Sequence, residues 1–585
     1  MDEGLHRRAE RWIADDPDPQ TRRELEQLIE RRAEGELAER FAGRLEFGTA
    51  GLRGVLGGGP MRMNRAVVRK TTAGLCAHLK HAVQDAPGRG VVVGYDCRQM
   101  GRDFAEDCAR VIAGHGLTVH LFDSLCPTPF VAFAVLNARA AAGIMITASH
   151  NPPEYNGYKV YWENGAQLIP PHDALISSAI DAVGPLSALP MPSLDQAREG
   201  GLLRPIGPEL EARYLASVQT LALHPQVPRE LTLVYTPLHG VGGRPALAAL
   251  AQAGFARVYP VEAQLAPDGR FPTVRFPNPE EAGAMDLALA LARQTQADLV
   301  IANDPDADRL AIAVPRGDGE YTQLSGDQVG ALLGHYLLTE GPQGPERLVV
   351  TTIVSSALLG AMARGLGVHY AETLTGFKWI ANQALALEAR SAARFVFGYE
   401  EALGYSIGTR VRDKDGISAA VVFAELAAVC KARGGSVLGT LEEIYRRFGL
   451  HRSAQQNLTL PGASGAVEIR QIMQRLRTSP PTALGAERVL TVRDLSRGVR
   501  TGPAGEEPLE LPHSDVLTFE LESGGRITAR PSGTEPKIKF YFEVCEAISP
   551  REPLAAAKAR ADARIGHLIE TFLEVVRYGP TSPPR

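Results

Sequence analysis

The runs VVVGYD (91–96), LTVHLFD (117–123) and AGIMITAS (142–149) are short, rich in β-formers and separated by stretches with helical spacing. That alternation predicts βαβ units around a partly parallel sheet. The pattern restarts twice. LTLVYTPLHG (231–240) and ADLVIANDPDADR (297–309) mark a second unit, and LVVTTIVSS (348–356) with ARFVFGYEEALG (393–404) marks a third, with no obvious sequence identity linking the three. Residues 1–40 read as charged helices packed as an arm, with Thr21 and Glu24 at capping-box spacing and Leu25, Leu28, Ile29 and Leu37 as the buried stripe. VLTFELES (516–523), RITARPSGTEPKIKFYFEV (526–544) and residues 554–576 predict strands followed by a helix. Segments 185–192, 461–466 and 477–485 read as connections, and the tail from Gly579 as frayed.

The 585 residues suit about four domains, each large enough for its own core. With 44% hydrophobic and 22% charged residues, 59 glycines and 41 prolines, the composition fits a loop-rich globular enzyme and excludes fibrous and low-complexity chains. A net charge of −5 gives no footprint for nucleic acid, so no nucleic-acid partner is expected. Six dispersed cysteines, without zinc-ligand spacing, read as buried thiols in a reducing compartment. The opening MDEGLHRRAERWIADD carries charge where an export signal needs an apolar run, and no stretch approaches the roughly 18 apolar residues of a membrane span. Residues 416–430 come nearest, but Glu425 makes them a buried helix. The expectation is a soluble, cytoplasmic protein without a membrane partner.

Chemistry concentrates in four motifs. In TASHNPPEYNGYK (147–159), Ser149 follows an apolar strand, where α/β proteins place their sites, and is a nucleophile candidate. A polar turn with a capping serine is the competing reading. In NDPDADR (303–309), Asp304, Asp306 and Asp308 stand at i, i+2 and i+4 after a buried strand. Hard oxygen ligands of this kind suit Mg²⁺, against a solvated acidic turn. RPSGTEPK (530–537) combines Arg530 and Lys537 with Ser532, Thr534 and Gly533, the ingredients of a phosphate clamp or of a hairpin with incidental charges. GYEEALGY (398–405) places Glu400 and Glu401 where they can accept from sugar hydroxyls, or sit at a helix N-terminus favoured by its dipole. TGFKW (375–379), RDKDG (412–416) and FGTAGLRG (47–54) read as glycine turns with flanking charges. Serine, metal site and clamp together suggest that one phosphate is held while a second is transferred.

On these motifs, which stand in the family's order, the sequence resembles the α-D-phosphohexomutase superfamily over about residues 47–542, closest to its phosphoglucomutase-2 and phosphopentomutase branch. The resemblance implies a four-domain, heart-shaped α/β architecture. It would comprise a helical arm (1–46), α/β domains with the phosphoserine loop (47–205), metal loop (206–324) and sugar loop (325–455), and a smaller α+β, TATA-binding-protein-like domain with the phosphate loop (456–585). It implies that Ser149 is the phosphoserine and that Mg²⁺ is held by its phosphate with Asp304, Asp306 and Asp308. It also implies that Arg53 and Arg309 contact phosphate, that Thr375, Gly376, Lys378, Glu400 and Glu401 recognise the sugar, and that Lys159 and Lys414 are general acid/base candidates. His150 would support the serine loop. The implied activity is a phosphoglucomutase that interconverts glucose 1-phosphate and glucose 6-phosphate through a bisphosphosugar, with glucose 1,6-bisphosphate as primer. Phosphosugars would be the partners of a monomer or weak homo-oligomer. Ala402 stands where many relatives have a serine and Tyr405 where hexose-specific relatives often have a histidine, a pattern the pentomutase branch shares, so the choice between hexose and pentose stays open; phosphopentomutase and phosphomannomutase are the alternatives. A metal-dependent sugar phosphatase and a catalytically idle phosphosugar-binding protein are competing readings.

Overall fold

The computed structural model describes residues 2–48, 51–460, 462–532 and 537–579; Gly533, Thr534 and the tail beyond Gly579 lie outside them. The chain forms two compact units. The first comprises residues 1–329, 376–386 and 395–434 and carries two α/β sheets. In its six-stranded sheet the order is Leu52–Val55, Tyr155–Trp162, Ala142–Ile146, Val91–Tyr95, Val119–Phe122, Leu203–Ile206. The last four run parallel, and the first two join antiparallel at one edge. Val91–Tyr95 and Ala142–Ile146 are buried at every position, which explains their unbroken apolar runs in place of polar/apolar alternation.

The second sheet orders Tyr321–Gln323, Leu310–Pro315, Leu299–Asn303, Thr232–Thr236 and Arg257–Pro260. Again the strand before the candidate site, Leu299–Asn303, is wholly buried. The helix Gly416–Ala432 starts at Asp415, whose side chain accepts from the N–H groups of Ile417 and Ser418. Its one charge before the last turn, Glu425, is buried and satisfied by Arg229 Nη2 (2.7 Å) and the N–H groups of Leu223 and His224.

The second unit comprises residues 330–375, 387–394 and 435–585. It contains the parallel pair Arg347–Thr352 and His369–Thr373 and an antiparallel C-terminal sheet. That sheet pairs Leu450–Thr459 with Lys537–Glu546, which in turn pairs with Arg526–Pro531. The helix Leu554–Tyr578 packs on it, with Phe572 against Phe519, Phe540 and Phe542.

Several sequence expectations are corrected. Thr21 caps nothing: the helix Pro19–Glu30 is capped by Asp18, while Thr21 Oγ1 donates to Asp16 Oδ2 at 2.8 Å. Glu24 instead binds Arg40 Nη2 (2.7 Å) and the N–H of Gly58 (2.8 Å), tying the arm to the body. Residues 462–466 are the first turns of the helix Gly462–Thr478 and not a connection. Glu400 and Glu401 occupy the hairpin between Arg394–Glu400 and Gly404–Ile407, so no helix dipole explains them. Cys97 and Cys545 are only partly buried, unlike the other four thiols.

Candidate active site

The strand Ala142–Ile146 is followed by Thr147, whose Oγ1 donates to Asp96 Oδ2 (2.6 Å) and accepts from the N–H of Ser149 (2.8 Å). Ser149 is thereby held at φ +52°, a left-handed conformation that a serine adopts only under such constraint. Arg98 fixes the turn from beneath: Nη2 donates to Ser149 O (2.6 Å) and Asn151 O, and Nη1 to Pro152 O (2.8 Å) and Tyr155 O (3.0 Å). Burial raises the Asp96 carboxyl to about 6, although Arg98 opposes the shift.

The second loop leaves the strand Leu299–Asn303. Asn303 braces it, accepting from Tyr235 Oη (2.9 Å) and donating to Arg309 O (2.7 Å). Gly240 lets another loop approach it: a Cβ there would stand 2.4 Å from Pro305 Cα and O. Asp304, Asp306 and Asp308 are fully buried, with one ligand oxygen of each within 4.8 Å of the others. Ser149 Oγ donates to Asp304 Oδ2 at 2.8 Å, and His150 Nδ1 stands 3.2 Å from the same oxygen of Ser149.

Lys159 lies on the strand Tyr155–Trp162, and its Nζ donates to Asp306 Oδ2 (2.7 Å) and Asp308 Oδ2 (2.8 Å). Thr128 Oγ1 also donates to Asp306 Oδ2, at 2.6 Å. Lys414 Nζ stands 3.4 Å from Asp308 and 3.5 Å from Asp413, and Asp413 is fixed by Tyr161 Oη and Gln167 Nε2, each at 2.7 Å. Arg309 Nη1 donates to Ala402 O (2.9 Å), and Arg53 Nη1 to Asn151 Oδ1 (2.7 Å).

Burial would lower both lysines, but the carboxylates outweigh it: Asp306 and Asp308 raise Lys159, and Asp308 and Asp413 raise Lys414. Both are ammonium ions at neutral pH. Burial, with Arg309 and Arg53 adding to it, keeps His150 well below its ordinary value, hence neutral. Burial beside Asp306 and Asp308 pushes Asp304 up, whereas Lys159 overcomes burial to hold Asp306 down.

After Lys159 and Thr128 have donated, Asp306 Oδ1 and Asp308 Oδ1 remain buried without a hydrogen-bond donor. Such oxygens are costly unless a cation meets them, and a set of hard carboxylate donors fits Mg²⁺. No other group of three potential ligands lies this close among the described residues.

The structure thus brings together Ser149, His150, Arg53, Lys159, Lys414, Arg309 and the three aspartates. Glu400 is buried in the hairpin beside Lys414, near enough that a Cβ on Gly404 would meet both side chains, and its Oε2 has no donor. Glu401 is half-buried in the same turn. Gly376, at φ +107°, turns the chain into the helix Phe377–Arg390, on which Lys378 Nζ lies 5.8 Å from the Trp379 ring and is lowered by burial. Thr375 belongs to the second unit. Arg530, Ser532 and Lys537 also belong to it, on the hairpin Arg526–Pro531/Lys537–Glu546, closed by Ser532 N–H donating to Lys537 O at 2.7 Å. Sequence reasoning missed Asp96, Arg98 and Thr128. The first two directly follow the strand Val91–Tyr95, a strand-end signal that was available; Thr128 carried none.

Comparison with known proteins places the chain. Profiles described as phosphoglucomutase/phosphomannomutase, alpha/beta/alpha domains I, II and III, match residues 44–185, 212–317 and 325–448, and the C-terminal domain of the same family matches 498–548. The phosphopentomutase of Mus musculus is 37% identical over 605 residues, covering 99% of this chain and 96% of that protein. A Haemophilus influenzae protein named "Probable phosphomannomutase" is 39% identical, covering 83% and 93%. The crystal structure of parafusin, a phosphoglucomutase from Paramecium, in its open form shares the fold with a TM-score of 0.66 at 18% identity, covering 93% of this chain and 97% of that one. The fold and the four domains define an enzyme of the phosphosugar mutase class, an isomerase working by phosphoryl transfer. The chain belongs to the phosphoglucomutase/phosphomannomutase family of the α-D-phosphohexomutase superfamily, with three α/β domains and a C-terminal domain. No helix among its described residues is long and apolar enough to cross a membrane.

Proposed function

We propose that the protein is a phosphoglucomutase, exchanging a phosphoryl group between O1 and O6 of glucose through a phosphoserine at Ser149 and a bisphosphosugar intermediate. The observation that carries this reading is the 2.8 Å bond between Ser149 Oγ and the buried carboxylate cluster. It puts a nucleophile-sized hydroxyl where phosphoryl charge can be neutralised.

In this reading Asp304, Asp306 and Asp308 hold Mg²⁺ together with the phosphate on Ser149, and the ion, when bound, offsets the negative charge of the transferring group. Arg53 and Arg309 orient phosphoryl oxygens. Lys159 and Lys414, held as ammonium ions, add positive charge and can donate a proton from Nζ to a leaving oxygen. His150, neutral beside Ser149 Oγ, positions that hydroxyl. Thr375, Gly376, Lys378, Glu400 and Glu401 recognise the sugar. Arg530, Ser532 and Lys537, with Gly533 and Thr534 outside the described residues, hold the phosphate that is not being transferred. A clamp for a second phosphate has no use in plain hydrolysis, which favours a mutase over a phosphatase. Glucose 1,6-bisphosphate primes the serine.

A second reading, a phosphopentomutase acting on ribose or deoxyribose 1-phosphate, is supported by the relative of that name matching over 99% of the chain and by Ala402 and Tyr405. The test is a panel of glucose, mannose, ribose and deoxyribose 1-phosphates with Mg²⁺ and a bisphosphate primer, ranked by kcat/KM. Preference for glucose supports the first reading, and preference for a pentose replaces it with the second. Steady release of inorganic phosphate, unaffected by Ser149→Ala, would overturn both.

A further inference from the structure

The C-terminal sheet carries a second arrangement of nucleophile, imidazole and carboxylate. In the register of Leu450–Thr459 against Lys537–Glu546, His451 stands directly opposite Cys545. Glu543, two residues before Cys545, shares its face of the strand. The side chains meet accordingly: Cys545 Sγ lies 3.6 Å from His451 Nε2, and His451 Nδ1 lies 3.1 Å from Glu543 Oε1. Glu543 is itself fixed by Arg526 Nε (2.9 Å), Ser356 Oγ (2.5 Å) and the N–H of Ala357 (2.9 Å), so the imidazole is oriented by a rigid partner. Gly449 packs closely on the sulfur, since a Cβ there would come within 3.0 Å of Sγ, while Cys545 itself stays partly exposed.

We propose that Cys545 is a reactive thiol and a modification site for small disulfides of the glutathione class, activated by His451 and Glu543. In the exchange the Cys545 sulfur attacks one sulfur of the small disulfide. The S–S bond breaks, a mixed disulfide forms, and the released thiolate takes up the proton that His451 received from Cys545. No other oxidant is consumed.

The remaining thiols provide the contrast. Cys76, Cys108, Cys126 and Cys430 are buried. Burial raises the Cys76 thiol to about 12 and pushes Cys97, Cys108 and Cys126 up as well. For His451 burial acts downward, but the bonds to Cys545 and Glu543 hold it up at about 10, so it is an imidazolium at neutral pH. The other charged groups around Cys545 are Glu546 on its own strand, Arg526 on the neighbouring strand, and Arg560 and Arg564 on the helix above. Arg564 Nη1 donates to Cys545 O at 3.1 Å and to Glu546 Oε1 at 2.6 Å, and Arg560 Nε stands 3.7 Å from Glu546.

The test treats the full-length protein with oxidised glutathione at pH 7 and maps adducts by peptide mass spectrometry. A single adduct on Cys545 is expected; no adduct there, or equal labelling of Cys97, overturns the proposal. Alkylation by iodoacetamide at pH 7 should be at least about tenfold faster at Cys545 than at Cys97. Equal rates at the two thiols in the wild-type protein overturn the proposal even if variants fail to fold. His451→Asn should slow the reaction at pH 7 at least about tenfold; an unchanged rate in a folded variant overturns the proposal.

Discussion

Ser149 Oγ donates to Asp304 Oδ2 over 2.8 Å, although 155 positions separate the residues and the strands before them belong to different sheets. Each stands just past the C-terminal end of a fully buried strand, one Ala142–Ile146 and the other Leu299–Asn303. Two apolar strands thus aim two polar loops at one point, and the chemistry follows from that convergence.

Replacing the hydroxyl tests it most directly. Ser149→Ala should reduce mutase turnover by roughly 10⁴- to 10⁶-fold, the range for losing a nucleophile. The structural cost should be small, about 1 kcal/mol for one hydrogen bond, because Thr147 and Arg98 hold the turn through its backbone. Intact-mass measurement after priming with glucose 1,6-bisphosphate should show one phosphoryl group on the wild type and none on the variant. Wild-type turnover by the variant would remove Ser149 from the mechanism.

The same geometry explains what could be read before the structure was known. Buried strands announce themselves as continuous apolar runs, so the loops after residues 146 and 303 stand out, and three alternating carboxylates after such a run suit a cation. Thr128 acts across the fold on a residue 178 positions away, and nothing local marks such a partner. The Thr21–Glu24 spacing misled because Asp18 caps the helix, its neighbour Asp16 takes the Thr21 hydroxyl, and Arg40 and Gly58 take the Glu24 carboxylate. Cys545 and His451 meet only through strand register, which sequence patterning leaves open over so long a separation.

Mg²⁺ should stabilise the protein, because Asp306 Oδ1 and Asp308 Oδ1 lack donors without it. Saturation at a hundred times Kd corresponds to about 2.7 kcal/mol, visible as a higher melting midpoint with Mg²⁺ than with chelator. Asp306→Asn should abolish that difference. A midpoint indifferent to Mg²⁺ in the wild type would count against the carboxylate cluster as a metal site.

The N-terminal arm should depend on one ion pair. Arg40 is nearly buried and takes hydrogen bonds to Glu24, Glu36 and Gly58 O, so Glu24→Ala leaves its charge short of a partner and the Gly58 N–H unbonded. Glu36 keeps part of the compensation, which sets the expected loss at about 2 kcal/mol, below that of a fully broken buried pair. Limited proteolysis should then cut within residues 31–44 faster than in the wild type. Glu24→Gln, which retains an acceptor for Gly58, should lose less.

Stability at alkaline pH should report on His451. Its folded value, about 10, lies above the ordinary 6.5: burial works against this, and the bonds to Cys545 and Glu543 prevail. A group raised on folding stabilises fully below its unfolded value and loses that contribution as pH climbs through its folded one. The stabilisation should therefore be complete below about pH 6.5 and gone above about pH 10, amounting to a few kcal/mol at most. In His451→Gln the imidazolium is absent, so the variant should be less stable than the wild type at pH 6 and approach it near pH 10. Denaturant unfolding of both proteins at these two pH values measures the difference, and a gap that stays constant would show that His451 is not an imidazolium in the folded sheet.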